Sequence, residues 1–548
     1  MLRAVRDLWA WIERRPTWLA ALLSILLTLT AAQYGPRAVG GADEYGYVSQ
    51  ADLWLSGRLT IDQTFVRQVP WAYAELAFAP LGYHPHPGDR GTLVPTYSPG
   101  LPMLLAAAKL VGGQDAMFFV VPLAAGLLVF ATFQIGRRLG SAPAGAIAAW
   151  LVATSPTTIF MSTATMSDVP VAAAWAWAFV LLLGRTLRSA AAAGVLSSIA
   201  ILIRPNLAPL AGALALHYVL LMRAVDARRS AAGQLAAYLV ALTPAIAGVA
   251  VLNDRLHGSP LTSGYGALAD LFSVAHMPAN LTRYLGWLAQ SHTPIAVIGL
   301  LAVFVPLRWI RPPRQTVGVS VVIALFVGFV WALYCAWRIF DAWWFTRFLL
   351  SSWPFIMLAV AGLTISAYAA RPRWLRPVVV AAVVALGVYQ FQFARERQAF
   401  GARDARRRFV ASARLIRAQA RDNSVILSKD HNGSLRYYGG MMTADYSWMP
   451  RGRGIDGAIA WFTARGVTTY LAIEDWELPE VRARFAGSEM LRVLDRPPVA
   501  IYEHPGRMLL FDLADPRPLE AKAVIGRDAD LGWRAPPPLP PPRLVFRP

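Results

Sequence analysis

Long apolar runs separated by short polar connections dominate the first 395 residues of the chain. A helix needs about 20 mainly apolar residues to cross a bilayer, and lipid tolerates only backbones that satisfy their own hydrogen bonds. The pattern therefore predicts a mainly α fold, a polytopic transmembrane helical bundle. Eleven spans are predicted, at 17–33, 114–136, 141–160, 168–184, 189–203, 207–222, 231–253, 287–307, 315–337, 346–369 and 375–393.

Two places in this pattern leave alternatives open. The runs in 189–222 are short and separated by the tripeptide RPN, so they fit either two full spans or a broken, re-entrant element. The first run is followed by small residues in LTLTAAQYG and preceded by a basic start, as in a secretory signal. Ten further runs favour an uncleaved first helix.

The arginines predict the orientation of the bundle. Basic residues lie in the N-terminus and in every second short connection, which the positive-inside rule places in the cytoplasm. We therefore expect an integral, multi-pass protein of the plasma (inner) membrane with a cytoplasmic N-terminus. The cytoplasmic side then includes Arg3, Arg6, Arg137–Arg138, Arg185–Arg188, Arg223–Arg229, Arg308–Arg314 and Arg371–Arg376. The external side includes 34–113, 161–167, 204–206, 254–286, 338–345 and everything after about residue 395.

From about residue 395 the composition changes and short helix and strand patterns alternate. Such alternation favours a small α/β domain with some parallel pairing, which we expect to be extracytoplasmic. We divide the chain into a membrane domain, 1–394, this domain, 395–534, and an extended, mobile proline-rich tail, 535–548. Expected strands include SVILSKDH, TTYLAIED, MLRVLDR, VAIYEH and RMLLFDL, and expected helices include ARDARRRFVASARLIRAQARDN, IDGAIAWFTARG and LPEVRARFAG.

Composition and charge narrow the possible functions. The chain is 56% hydrophobic and 15% charged, and its net charge is +20. Because most of the basic residues lie in the membrane connections, we expect no nucleic-acid partner. The predicted spans contain almost no ionisable side chains, His217 being the internal one. Ion-coupled transporters usually carry such groups along their path, so a transporter or lipid-carrier flippase is the alternative and not the leading hypothesis.

Two adjacent carboxylates, Asp43 and Glu44, follow the first predicted span. The apolar residues after them recur at helical spacing, which fits a helix in the membrane interface. Two neighbouring carboxylates do not ionise together easily, and this favours the basicity that a general base needs. Alternatively, Asp43 caps the helix and Glu44 lies near the positive end of its dipole.

Five stretches in the same order as the spans resemble a known family. They are DEYGYVSQA after the first span, YSPGLPMLLA at 97–106, MSDVPVAAA at 166–174, TRFLLSSWPF at 346–355 and DHNGSLRYYGG at 430–440. Together they are similar to the multispanning C-type-fold (GT-C) glycosyltransferases that use polyprenyl-phosphate sugars. This family includes the dolichyl-phosphate-mannose protein mannosyltransferases and the bacterial lipid A aminoarabinose transferases.

The resemblance implies an inverting transfer from a polyprenyl-phosphate sugar to a protein, lipid or polysaccharide glycan acceptor at the outer face of the membrane. It makes Asp43 the catalytic base, and Glu44 would orient the acceptor or the sugar. The transfer strictly requires no metal cofactor if arginines neutralise the leaving phosphate. The external arginines available for this are Arg347, Arg204 and Arg338 and, less securely, Arg283; membrane-edge snorkelling is their other explanation.

Three further groups complete the set of predicted site residues. Asp168, before Pro170, either caps its helix or holds an arginine of the donor site. Tyr97 begins the YSPG stretch and lies either in the site or in an aromatic belt at the membrane interface. His84 and His86 are weak candidates for a zinc or other divalent-cation site, because a His-x-His pair alone does not specify one.

Overall fold

The computed structural model of this chain describes residues 14–305, 316–372, 374–514, 517–518, 521–526 and 534–546. The predicted basic residues Arg3 and Arg6 and the connection 308–314 lie outside the described residues. Helices α1 to α17 are, in chain order, Pro16–Tyr34, Gly41–Leu55, Ala74–Ala77, Gly100–Met117, Val120–Arg138, Ala142–Thr154, Pro156–Ser162, Asp168–Leu182, Leu187–Ile203, Pro209–Leu221, Arg228–His257, Leu268–Leu271, Met277–His292, Pro294–Val303, Thr316–Ala336, Trp353–Ala370 and Arg376–Glu396.

Every predicted span coincides with an apolar helix or a pair of helices. Among the described residues, six helices are long and apolar enough to cross a membrane, α6 and α7 form one pair bent by 59°, and four apolar helices are shorter. Their outer faces leave large apolar side chains exposed, such as Leu22, Ile25 and Leu29 on α1, which a bilayer would cover. The prediction of a polytopic helical membrane bundle is therefore confirmed.

The structure adds detail to two parts of the predicted pattern. The region 189–222 forms two separate helices, α9 and α10, joined by the 3₁₀ turn Pro205–Leu207. The run 287–307 is divided, because its first part belongs to the amphipathic helix α13. A break at Thr293, with φ of 62°, separates α13 from α14. Pro294 at the start of α14 favours this break, because the residue before a proline is disfavoured in a helix.

The connection between α1 and α5 folds against the C-terminal domain. It contains α2, α3, α4 and an antiparallel sheet in the order β1-β3-β2, with strands Ile61–Asp62, Tyr83–His86 and Asp89–Pro95. Helix α2 is mostly buried: Tyr45, Tyr47, Val48 and Ala51 share a core with α4 and with Tyr438 of the C-terminal domain. Protein therefore covers the apolar face of α2, which the sequence pattern led us to expect against lipid.

The C-terminal region is the predicted small α/β domain. Its six-stranded sheet has the order β5-β4-β6-β8-β7-β9 and mixes parallel with antiparallel pairs. Its strands, from β4 to β9, are Ser424–Leu427, Met442–Ala444, Thr468–Glu474, Ala500–Glu503, Arg507–Asp512 and Val524–Gly526. Its helices, from α18 to α22, are Ala402–Gln419, Asn432–Gly439, Gly454–Thr463, Leu478–Arg484 and Met490–Val493.

Two local expectations for this region need correction. The stretch MLRVLDR forms helix α22 and not a strand, because the Asp456 carboxylate accepts hydrogen bonds from the backbone N–H groups of Glu489 and Met490 at its start. The proline-rich tail is extended as expected but is docked. The N–H of Ala535 donates to Asp115, Asn423 bonds the backbone of Val545 in both directions, and Phe546 packs on Phe65 and Trp461.

A buried polar cluster connects the sheet to α18, the helix that faces α2. Both oxygens of Glu474 are occupied: Nε2 of His431 lies 2.9 Å from Oε1, and Nε2 of His504 lies 3.0 Å from Oε2. Arg408 of α18 lies 3.5 Å from Oε1. Because Nδ1 of His504 accepts from the backbone N–H of Gly506, its Nε2 carries the proton that Glu474 accepts.

We expect acid to loosen the C-terminal domain. Burial lowers the pKa of His431, so below about pH 6.5 the unfolded chain binds more protons than the native one and stability falls. Burial raises the pKa of Glu474, but the hydrogen bond from His431 and the positive charge of Arg408 oppose burial, and the pKa is lowered overall. The stability that Glu474 provides is therefore also lost as the pH falls through its native pKa.

Hydrogen exchange of β6 amides, corrected for intrinsic rates, measures this effect. Corrected exchange should be faster at pH 5 than at pH 7, because over this range the unfolded chain takes up the imidazole proton that buried His431 binds less readily. Helix α8 in the membrane bundle serves as the internal reference. Equal pH dependence in β6 and α8 would contradict the prediction.

Candidate active site

Asp43 projects from the first turn of α2 into a group of polar residues. The helix begins at Gly41 and its N-cap is Gly40, so Asp43 is not the cap. Its Oδ1 accepts a hydrogen bond of 2.6 Å from the hydroxyl of Tyr97, and its Oδ2 lies 3.4 Å from Nη2 of Arg347. About a third of the Asp43 side chain, 35%, is exposed, so a substrate can reach this carboxylate.

Close packing brings Tyr97 to this position. A Cβ atom on Gly46 would collide with the ring of Tyr97, so glycine in the middle of α2 lets the ring lie directly on the helix. The ring of Tyr47 also packs against the ring of Tyr97, with centroids 4.5 Å apart. Burial, and after it the charge of Asp43, raises the pKa of Tyr97 well above its usual value. Tyr97 therefore remains a neutral donor to Asp43 at physiological pH.

A second acid, Asp168, organises the arginines. It is the first residue of α8, its side chain is fully buried, and its Oδ1 accepts from Nη2 of Arg204 at 2.7 Å. Its Oδ2 lies 4.0 Å from Nη1 of Arg347. Arg204 lies between α9 and α10, in an extended conformation that the following Pro205 favours. Asp168 thus pairs with arginines and does not cap its own helix.

Tyrosines and a phenylalanine surround the two guanidinium groups. Nη1 of Arg204 donates to the hydroxyl of Tyr334 at 3.3 Å, and its Nε donates to Ser167 at 3.0 Å. The ring of Phe348 lies 5.1 Å from Cζ of Arg347 and 5.6 Å from Cζ of Arg204. Cation–π contacts of this kind hold an arginine in place and leave its N–H groups directed at other acceptors.

Tyr265 lies against the same group from the connection between α11 and α13. Its ring is edge-on to Tyr97, with centroids 5.9 Å apart. A Cβ atom on Gly264 would overlap the backbone of Thr96, so this turn is packed directly on the strand that leads to Tyr97. Burial, followed by Tyr47 and Asp43, raises the pKa of Tyr265, and the phenol therefore stays neutral.

The other predicted residues lie elsewhere. Glu44 is next to Asp43 in sequence but points to the C-terminal domain, where it pairs with Arg406 at 3.0 Å. Adjacent residues on a helix point about 100° apart, so the two carboxylates have different partners. Arg338 is exposed and lies over Phe340. Arg283 pairs with the exposed Asp341 at 3.4 Å.

The histidines do not assemble a three-ligand site. The rings of His84 and His257 are 5.1 Å apart, whereas His86 bonds the backbone carbonyl of Arg255. Glu75 pairs with Arg90, and His276 contacts the carbonyl of Ala336. Among the residues that the structure describes, no three His, Cys, Asp or Glu side chains are grouped so that they could hold a metal ion.

Several residues of the site were not predicted from the sequence. Ser167, Tyr334 and Tyr265 have no motif of their own, and only the meeting of helix ends brings them together. Ser167 adjoins the acid in MSDVP, which is the one sequence signal that pointed toward it. Tyr47 lies in the DEYGYVSQA stretch, but only the structure shows its contacts with Ser167 and Tyr97.

No protein-family model and no curated protein matches this sequence. Solved structures do match the fold. ArnT from Cupriavidus metallidurans, bound to undecaprenyl phosphate, is similar with a TM-score of 0.56 and 13% identity, over 91% of this chain and 99% of that one. An Archaeoglobus fulgidus oligosaccharyltransferase tethered to an acceptor peptide is similar with a TM-score of 0.52 and 12% identity, over 93% of this chain and 76% of that one.

A third similar structure is the arabinofuranosyltransferase AftD from Mycobacteria. Its TM-score is 0.51 and its identity 15%, over 84% of this chain and 35% of that one. At identities this low, the likeness shows the fold and not the activity. The chain therefore has the GT-C fold, as the sequence motifs predicted.

Proposed function

We propose that this protein is a membrane glycosyltransferase that moves a sugar from a polyprenyl-phosphate carrier to an acceptor at the outer face of the plasma membrane. The observation that carries the proposal is the accessible carboxylate of Asp43 placed 3.4 Å from Arg347, with Asp168 and Arg204 behind it. A base beside guanidinium groups is what this transfer requires. Binding of undecaprenyl phosphate by a protein of the same fold supports the donor class.

In the proposed reaction, Asp43 removes the proton from an acceptor hydroxyl or amine. The acceptor atom then attacks the anomeric carbon of the donor from the face opposite the phosphate. A bond forms between the acceptor and the sugar, and the bond between the sugar and the phosphate oxygen breaks. The bonding electrons leave on the phosphate, and the configuration at the anomeric carbon inverts. General bases of this kind typically increase the reaction rate by a factor of about 10² to 10⁴.

The leaving phosphate gains negative charge as the bond breaks. Arg347 and Arg204 are placed to stabilise this charge, because a guanidinium group binds two phosphate oxygens with parallel hydrogen bonds. Asp168 holds Arg204 at 2.7 Å and lies 4.0 Å from Arg347, so the two cations are positioned before the donor arrives. Such preorganisation avoids a reorganisation cost during the reaction.

The proposal is tested with the purified full-length protein in lipid vesicles. It is supplied with undecaprenyl-phosphate mannose, arabinose or aminoarabinose, together with a cell-envelope acceptor fraction, and release of undecaprenyl phosphate is followed. Release coupled to acceptor labelling supports a transferase. Movement of intact donor across the bilayer, with no bond cleavage, would identify a flippase and reject the proposal.

Tyr97→Phe provides a smaller test of the site. The change keeps the ring and removes only the hydrogen bond of 2.6 Å to Asp43. Hydrogen bonds to charged groups contribute about 1.5–3 kcal/mol, so kcat should fall roughly 10- to 100-fold with little change in the KM for donor. Tyr73→Phe, on an exposed tyrosine of the same connection, is the matched control. An unchanged kcat for Tyr97→Phe would show that this hydrogen bond does not support the base.

A further inference from the structure

The start of α2 is fixed to the C-terminal domain by a partly buried ion pair. Nε and Nη2 of Arg406 donate to Oε2 and Oε1 of Glu44 at 3.0 Å and 3.1 Å, in the two-pronged geometry of an arginine–carboxylate pair. Only 3% of the Glu44 side chain is exposed. Because two parallel hydrogen bonds define direction as well as distance, this pair restricts how α2 can rotate or slide.

Other contacts at the same junction reinforce the pair. The backbone N–H of Gly40 donates to Oε2 of Glu44 at 3.1 Å, and the N–H of Val39 donates to the hydroxyl of Tyr438 at 2.6 Å. A Cβ atom on Gly40 would lie 2.5 Å from the ring of Phe409. The residues before α2 therefore lie directly on α18 and α19, and no movement of α2 leaves these contacts intact.

Glu44 follows Asp43 on the same helical turn, so any constraint on Glu44 is transmitted to Asp43. A buried ion pair adds little net stability, because the cost of removing both charges from water offsets their attraction. Its directional bonds can still fix geometry, and a catalytic group must be held to within about 0.5 Å. The pair lies one residue away from the proposed base, and from this position it can fix the orientation of α2.

We infer that Arg406 is a positioning residue for the transfer: acting through Glu44, it sets the orientation of α2 so that Asp43 faces Tyr97 and Arg347. This inference rests on the proposed function. It gives the C-terminal domain a role in the reaction, because α18 supplies the arginine. It also gives Glu44 a role different from binding the acceptor or sugar, since both of its oxygens are occupied within the protein.

Three variants test the inference in the full-length protein: Arg406→Gln, Glu44→Gln and the two combined. Removing either partner should lower kcat about 30- to 100-fold and leave the KM for donor within about threefold, because the phosphate-binding arginines are untouched. The double variant should be no worse than the worse single variant, because residues that act only through each other are not additive. Arg406→Lys should recover part of kcat, since lysine keeps the charge but loses the planar fork.

Arg407→Gln is the matched control, since Arg407 lies on the same helix and pairs with the exposed Asp404 at 3.6 Å. It should retain wild-type kcat. If Arg406→Gln fails to fold, Arg406→Lys decides: a kcat lowered about tenfold at unchanged donor KM supports the inference, and a wild-type kcat overturns it. If the wild type transfers sugar and the Arg406 and Glu44 variants have the same kcat, the inference is overturned while the proposed function stands. No transfer by the wild type rejects both.

Discussion

Replacing Asp43 with asparagine should lower kcat for sugar transfer by a factor of about 10² to 10⁴. Asparagine keeps the size and the hydrogen bond from Tyr97 but cannot accept the acceptor's proton, and general-base catalysis is worth about 10² to 10⁴. The donor KM should change by only a few fold, because Arg347, Arg204 and Asp168 remain. The measurement is release of undecaprenyl phosphate under saturating donor, by wild type and variant in the same vesicles.

The matched control is Asp62→Asn, the same change at an exposed aspartate in the same connection. It should transfer sugar at the wild-type rate. Binding of undecaprenyl phosphate by the Asp43→Asn protein shows that the variant is folded. Undiminished transfer by a variant that still binds this lipid would reject Asp43 as the base.

The membrane fold could be predicted because its determinants are local. A run of apolar residues with the length of a bilayer identifies a span without knowledge of its neighbours, and all eleven runs coincide with apolar helices. Prediction failed where tertiary contacts decide the outcome. The amphipathic pattern of α2 is the same whether lipid or the C-terminal domain covers it, and only folding selects the domain. Likewise, MLRVLDR is apolar enough for a strand until Asp456 caps it as a helix.

The site was predictable in part. Asp43, Tyr97, Asp168, Arg204 and Arg347 lie within one connected set of contacts, as the order of the motifs indicated. Asp168, Arg204 and Arg347 lie at the predicted external ends of spans, so the topology placed them on one side of the bundle.

The other predicted residues show the limit of that reasoning. Arg338 lies at such an end too, but its guanidinium lies over Phe340, which stacks on Phe345 with centroids 4.1 Å apart. Two aromatic rings thus separate it from Arg347, which lies over Phe345. The pairing of Glu44 with Arg406, 362 residues further along the chain, could not be predicted, because no local pattern encodes a contact of that range.

Replacing Arg347 with alanine should weaken binding of the carrier phosphate and slow transfer together. A charge-assisted pair with phosphate that loses its cation typically costs 2–5 kcal/mol, so undecaprenyl phosphate should bind about 30-fold more weakly or worse, and kcat/KM for donor should fall by about 10² or more. Arg347→Lys should recover little, because one ammonium cannot reproduce two parallel hydrogen bonds. Arg395→Ala, at an exposed arginine near the end of α17, is the control and should bind like wild type.

Arg347 also lies 3.4 Å from Asp43, so a slower reaction alone would not separate a role in binding phosphate from a role in orienting the base. Binding of undecaprenyl phosphate separates them, because it involves neither acceptor nor proton transfer. If Arg347→Ala binds this lipid as tightly as wild type while its kcat falls, Arg347 acts on Asp43 and Arg204 alone neutralises the phosphate. If binding weakens in Arg347→Ala and not in Asp43→Asn, the cation holds the donor and the carboxylate activates the acceptor.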